Sequence, residues 1–235
     1  MNLSPDEIVY FRVGPLNVSA TLVFTWLVIV LLVGASLLVR RNLRAEPPIG
    51  RMQLVFEALI GFVLDQIREV VRQDPRPYLP FIGTLFLFIL TSNVLGVVPG
   101  FQPPTASLTT TAALALAVFF AVPAFGIAQV GLRRYLRSYL EPMPLMLPFT
   151  VLGEITRTLA LAVRLFGNVM SSTLMVAILL VVAPLVFPVL LQAMGLLMGV
   201  LQAYIFAVLA LVYIAAGMSE SQKRLSTRRI TRGTE

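Results

Sequence analysis

Apolar residues run through this chain in long unbroken stretches, and the charged residues gather in the segments between them. The first stretch covers about residues 18–39, the second about 79–99 and the third about 109–131. Each matches the roughly 20 residues that an α-helix needs to cross the hydrocarbon core of a bilayer. A membrane barrel would alternate apolar and polar residues instead. Two longer stretches follow, about 147–181 and about 188–218, joined by the uncharged APLVFP. A helix over 147–181 would be roughly 50 Å long against a core of about 30 Å. The pair is expected to form a long, steeply tilted antiparallel hairpin; ordinary spans with projecting ends are the alternative.

One segment, residues 52–75, breaks the pattern. Leu54, Leu59, Phe62, Val63, Ile67 and Val70 recur at helical spacing, but Glu57, Asp65, Arg68, Glu69 and Arg72 lie among them. Such a segment is an amphipathic helix, on the membrane surface or against another subunit. The fold class expected is therefore an all-α membrane protein: five transmembrane helices plus one amphipathic surface helix, in a single integral membrane domain. Arg40 and Arg41 lie behind the first apolar run rather than ahead of it, so residues 1–17 are expected to be retained as an outer N-terminal segment and not removed as a leader.

Composition strengthens this reading. Of 235 residues, 58% are hydrophobic and 12% charged, and mean hydropathy is +0.90. A soluble domain of that make-up would expose large apolar patches. The chain has no cysteine and no histidine. Disulfides, thiolate and imidazole metal sites, and the usual neutral-pH proton carrier are thereby excluded. No phosphate loop or nucleophile–base pair occurs, so no enzymatic chemistry, cofactor or metal is expected.

The net charge of +7 follows topology. Seven arginines, from Arg40 to Arg76, lie between the first and second runs; Arg133, Arg134 and Arg137 follow the third; Lys223, Arg224, Arg228, Arg229 and Arg232 lie in the tail from 219 to 235. The opposite side holds only Arg12. With five spans all three basic regions share one face, which the positive-inside rule makes cytoplasmic, with the N-terminus outside and the C-terminus inside. Nucleic acid is not an expected partner.

Two basic residues, Arg157 and Arg164, lie inside the fourth apolar stretch with Glu154. Arg157, near its cytoplasmic end, can pair with Glu154 at i+3 or snorkel, so a helix-end ion pair explains it as well as a functional role does. Arg164, in ALAVRLFGNVM, has apolar neighbours on both sides. A charge at that depth costs a few kcal/mol at least and must face protein or water. Glu154 is ten residues away, roughly 15 Å along a helix. The counter-charge is therefore expected from another subunit or a substrate; a structural arginine capped by carbonyls is the bland alternative.

Glu154, Arg157, Arg164, Asn168 and Ser172 fall on one helical face, with Ser171 beside them, as beside a water-filled path or partner helix. Gln192, Gly195, Gly199 and Gln202 make a second stripe on the last span. The glycines allow close helix approach. Gln202 is about as far from the 182–187 turn as Arg164 is, so an antiparallel hairpin would bring the two level.

RLFGN at 164–168 and LQAYIFAVLALVYIA at 201–215 resemble the signature helices of subunit a of F-type ATP synthases, the stator part of the membrane ion channel. PFIGTLFLFILTSN at 80–93 and PTASLTTTAALAL at 104–116 resemble that family's earlier segments, and the likeness covers roughly residues 50–220. The resemblance implies a bacterial inner-membrane protein lying against a rotating ring of c subunits, each with a membrane carboxylate, beside peripheral-stalk b subunits and, indirectly, the F1 sector. It implies that Arg164 is the stator arginine, which favours the ionised carboxylate and blocks a direct leak between two aqueous half-channels. Gln202, Asn168 and Glu154 correspond to further ion-translocation residues. Arg157, Ser171, Ser172, Thr173, Gln192 and Asn93 are expected to line the path.

The departures from that pattern bear on the ion. Thr173 stands where many members have an acid or histidine, Gly195 where another ionisable group is common, and Ser107 and Thr109 where an acid and an amide are usual. Either water and hydroxyls carry protons in the outer half-channel, which family frequency favours, or the ion is sodium, which needs oxygen ligands but no titrating relay. An atypical sub-branch is implied in both cases. Two other classes are weighed beside this one. A small secondary transporter would pair a substrate anion with Arg164, but such proteins show internal repeats. A non-transporting scaffold would leave the polar stripe unexplained. Copurification with a c ring and F1 subunits discriminates among them.

Overall fold

The computed structural model describes residues 9–13, 16–41, 51–71, 74–98, 100–133, 147–182 and 187–232. The basic segments 42–50 and 134–146, Arg72 and most of the 182–187 turn lie outside them. Six helices and a short hairpin make up the described chain: β1 (Val9–Val13), β2 (Leu16–Ser19), α1 (Ala20–Arg41), α2 (Arg51–Val70), α3 (Leu79–Leu95), α4 (Leu108–Val130), α5 (Leu147–Val182) and α6 (Phe187–Arg232), with a 3₁₀ turn at Pro104–Ala106.

The expected all-helical membrane architecture holds, with a short antiparallel β1–β2 pair ahead of the first helix. Its signal was in the sequence: VYFRV and LNVS are rich in β-branched and aromatic residues, and Gly14-Pro15 punctuates them. It also moves the start of the first span from 18 to Ala20.

Four helices are long and apolar enough to cross a membrane: α1, α4, α5 and α6. The expected second span, to residue 99, is shorter. α3 stops at Leu95, and its 17 residues make roughly 25 Å of helix. Pro99 has no N–H to continue the ladder and disfavours helical backbone at the residue before it. The last turn accordingly tightens, with Val97 and Val98 N–H groups donating to Val94 and Leu95 carbonyls three residues back. α2 ends at Val70, short of residue 75, and α6 continues as helix through the basic segment to Arg232.

α6 is the hub, packed against α2, α3, α4 and α5. Its inner face carries Gly199, Ala203, Ala207 and Ala210, all buried, interleaved with Phe206, Leu211 and Ile214. Small residues at this spacing let helix backbones approach where lipid supplies no hydrophobic drive for association. α3 meets them with Ile82, Leu85, Phe86 and Ile89, and α5 with Leu161 and Leu165. The amphipathic α2 buries Val63 and Ile67 in this core, while Leu54, Val55 and Ile60 are exposed. The Tyr204 hydroxyl donates to Gln66 Oε1 at 2.8 Å, and the Tyr204 and Phe62 rings lie 5.7 Å apart, fastening α2 to α6. α1 is peripheral, burying only Ala20, Thr21 and Val28.

Candidate functional site

α5 and α6 pack antiparallel. Ser172 meets Gly195, Asn168 meets Met198 and Arg157 meets Tyr213, so the partner's number rises as the α5 number falls. This register puts Arg164 level with Gln202, as the equal distances from the turn predict. The two side chains differ in setting. Arg164 is exposed, on a face with Gly167, Ser171 and Met175, and forms no hydrogen bond or ion pair among the described residues. Gln202 is 4% exposed, and its Nε2 has no hydrogen-bond partner among the described residues.

Two cavities with polar groups in their walls lie along α5 on either side of Arg164, which lines neither. The larger, about 440 Å³, is bounded by the end of α3, the 96–106 connection, α5 from Asn168 to Ala177 and α6 from Gln192 to Gly199. It brings together Asn93, Asn168, Ser172, Thr173 and Gln192, five of the residues singled out from sequence. Its described lining has amides and hydroxyls but no titratable side chain. Gln192 Nε2 donates to the Val97 carbonyl at 3.0 Å, and Thr173 Oγ1 to the Val169 carbonyl of its own helix at 3.0 Å. At the inner end Asn168 Nδ2 reaches the Met198 carbonyl at 3.4 Å and Asn93 Nδ2 the Gly199 carbonyl at 2.9 Å.

The smaller cavity, about 210 Å³, is bounded by α4, α5 and α6 and holds Glu154, Arg157, Thr158 and Tyr213. The Arg157 guanidinium lies over the Tyr213 ring at 5.7 Å, a cation–π arrangement. The cavities are thus separated along α5 by the residues around Arg164; both border α6, the larger adding α3 and the smaller α4.

Not every expected residue converges. Ser171 faces outward, and Gln202 lies between the cavities. Ser107 and Thr109 are hydrogen-bonded to each other, and Ser107 caps α4 by accepting from the Thr110 N–H; neither lines the larger cavity. Four polar contributors were not among the residues singled out from sequence: Gln102 in the larger cavity, Thr158 and Tyr213 in the smaller, and Thr105, whose hydroxyl donates to Asn93 Oδ1 at 2.8 Å. Tyr213 was the most legible, being eleven residues beyond Gln202 and so on nearly the same helical face.

Long apolar helices, an exposed arginine with no partner among the described residues and a cavity to either side of it along α5 fit a membrane channel subunit. The family model described as ATP synthase A chain matches residues 22–215. The chain is 55% identical over 227 residues to ATP synthase subunit a 2 of Acaryochloris marina, covering 97% of each chain. It is 55% identical to ATP synthase subunit a 1 of Chlorobaculum parvum, covering 96% of this chain and 100% of the relative. It is 51% identical to ATP synthase subunit a of Nitrosospira multiformis, covering 94% of this chain and 88% of that one. The chain belongs to the ATP synthase A chain family, the non-catalytic stator channel subunit of the membrane sector Fo.

Proposed function

We propose that Arg164 is the stator charge past which the carboxylates of a rotating c ring move, and that the two cavities are the inner parts of the half-channels serving that ring. The observation carrying this reading is the exposure of Arg164 on an outward face of α5 with no partner among the described residues. A guanidinium so placed within a spanning helix needs a protein anion beyond this chain. As a ring carboxylate approaches, the positive charge favours its ionised form and so promotes release of the bound ion. After passing Arg164 the carboxylate is reloaded from the other cavity. Gly167 and Ser171 keep the surface beside the arginine low. Gln202, level with it, supplies a buried amide with a free donor at the same depth.

In this reading five helices span the membrane, α3 included, with the N-terminus outside and the C-terminus in the cytoplasm. The 440 Å³ cavity then opens toward the outside, and the cavity with Glu154 and Arg157 opens toward the cytoplasm. α5 and α6 are steeply tilted, since both exceed the bilayer's thickness. Peripheral-stalk b subunits are the partners that hold this chain against rotation.

Protons are the ion of the principal reading, carried in the outer cavity by water and hydroxyls. Sodium is the second reading, favoured by the neutral oxygen and amide lining of that cavity. ATP-driven transport by the whole complex in proteoliposomes, with and without sodium, separates them. Stimulation by sodium and uptake insensitive to a protonophore would decide for sodium. Arg164→Ala should abolish coupled synthesis and pumping while the complex still assembles; normal pumping by that variant would overturn the mechanism.

A further inference from the structure

Asn93 stands at the inner end of the larger cavity, 7% exposed, and bridges two elements that are distant in sequence. Its Nδ2 donates to the Gly199 carbonyl on α6 at 2.9 Å, and its Oδ1 accepts from the Thr105 hydroxyl at 2.8 Å. Thr105 is fully buried in the 3₁₀ turn. The amide's orientation is fixed by these partners: a carbonyl only accepts, so nitrogen must face Gly199, which leaves oxygen for the hydroxyl. The fit is close as well as polar. A Cβ at position 199 would come within 2.8 Å of Asn93 Cβ, so only glycine admits this contact.

The carbonyls held here belong to one short stretch of α6. Asn168, one turn beyond Arg164 on α5, reaches the Met198 carbonyl, and Asn93 on α3 holds the next one. In a continuous helix the Met198 carbonyl is the acceptor for the N–H of Gln202. The backbone immediately ahead of Gln202 is thus gripped from two sides.

We infer that Asn93, oriented by Thr105, is a positioning residue: it sets the depth and rotation of α6 at Gln202, opposite Arg164, and does not itself serve as a stopping point for the ion. This rests on the proposed passage of ions at Arg164. Its consequence is a split between rate and affinity. Loss of the clasp misplaces the Gln202 level and slows turnover, while the entrance through which ions load is unchanged.

The test uses the whole complex in proteoliposomes, measuring ion-driven ATP synthesis against the concentration of the driving ion. Thr105→Val, which keeps the side-chain shape and removes the hydroxyl, and Asn93→Ala should each lower the maximal rate about tenfold, the scale of a lost buried hydrogen bond. The half-saturating ion concentration should change less than about twofold. Asn93→Gly combined with Gly199→Ala restores the packing without the hydrogen bond and should remain slow. Wild-type rates in Thr105→Val would overturn the inference. So would a raised half-saturating concentration with an intact maximal rate, which would make Asn93 an ion ligand, or recovery of rate in the double variant, which would make packing the sole role. Failure of Thr105→Val and Asn93→Ala to assemble would also overturn it, assigning the cluster to folding. Failure of the underlying reading is distinguished by Arg164→Ala, which would then remain coupled.

Discussion

Ser172 on α5 occupies the space that a side chain at position 195 on α6 would need. The two residues meet in the wall of the larger cavity, so helix spacing and cavity width are set at one point. Gly195→Ala should displace the Ser172 hydroxyl, cost about 1 kcal/mol and reduce coupled transport several-fold, roughly as that energy implies. Adding Ser172→Ala should restore both. Thermal stability of the purified complex and pumping in vesicles would check the pair; a double variant no better than Gly195→Ala would count against the contact.

Arg164→Lys should fail almost as completely as Arg164→Ala, with coupled pumping reduced roughly hundredfold or more. An ammonium in a poorly solvated setting loses its proton far more readily than a guanidinium and offers no planar fork to a carboxylate. ATP-driven pumping across a range of pH is the measurement, and substantial recovery at low pH would identify deprotonation as the cause.

Thr173→Glu would place an acid where the described lining of the larger cavity has none. Its pH–rate profile should gain an ionisation absent from the unmodified protein, and coupled activity should rise with protonation if the added charge obstructs the path. An unchanged profile would mean that position 173 is not in contact with the ion's route.

Tyr213→Leu should loosen Arg157, at a cost of about 0.5–1 kcal/mol for the lost cation–π contact, and Tyr213→Phe should retain most of it. Thermal stability of the purified complex carrying each Tyr213 variant, with Arg157 retained, would report the difference. On the opposite side of α6, Tyr204→Phe removes the hydroxyl held by Gln66 and should weaken the docking of α2 by about 1 kcal/mol. Faster amide exchange confined to α2 would be the sign.

The long helices and the pairing of Arg164 with the level of Gln202 were legible because both depend on counting along one chain. A run of apolar residues needs a helix to cross lipid, and an antiparallel pair fixes which residues share a depth. The end of α3 was misjudged because TSNVLGVV is as apolar as a spanning segment, whereas Pro99 acts on backbone geometry that hydropathy does not register. Asn93 was visible as a polar residue in a span, but its bonds to Thr105 and Gly199 join three elements and depend on tertiary packing. The strands Val9–Val13 and Leu16–Ser19 are legible by residue type, but the long apolar run that follows them carries the stronger, helical signal.

Arg164 faces outward, and its exposure has a meaning before any ion moves. A newly inserted chain without its neighbour would present a guanidinium toward hydrocarbon, at a cost of a few kcal/mol at least. In the proposed function that strain is relieved when an anionic membrane partner docks against α5. The same charge, which in that function serves transport in the working complex, makes the solitary subunit a poor resident of the bilayer, so that assembly against a membrane partner is favoured.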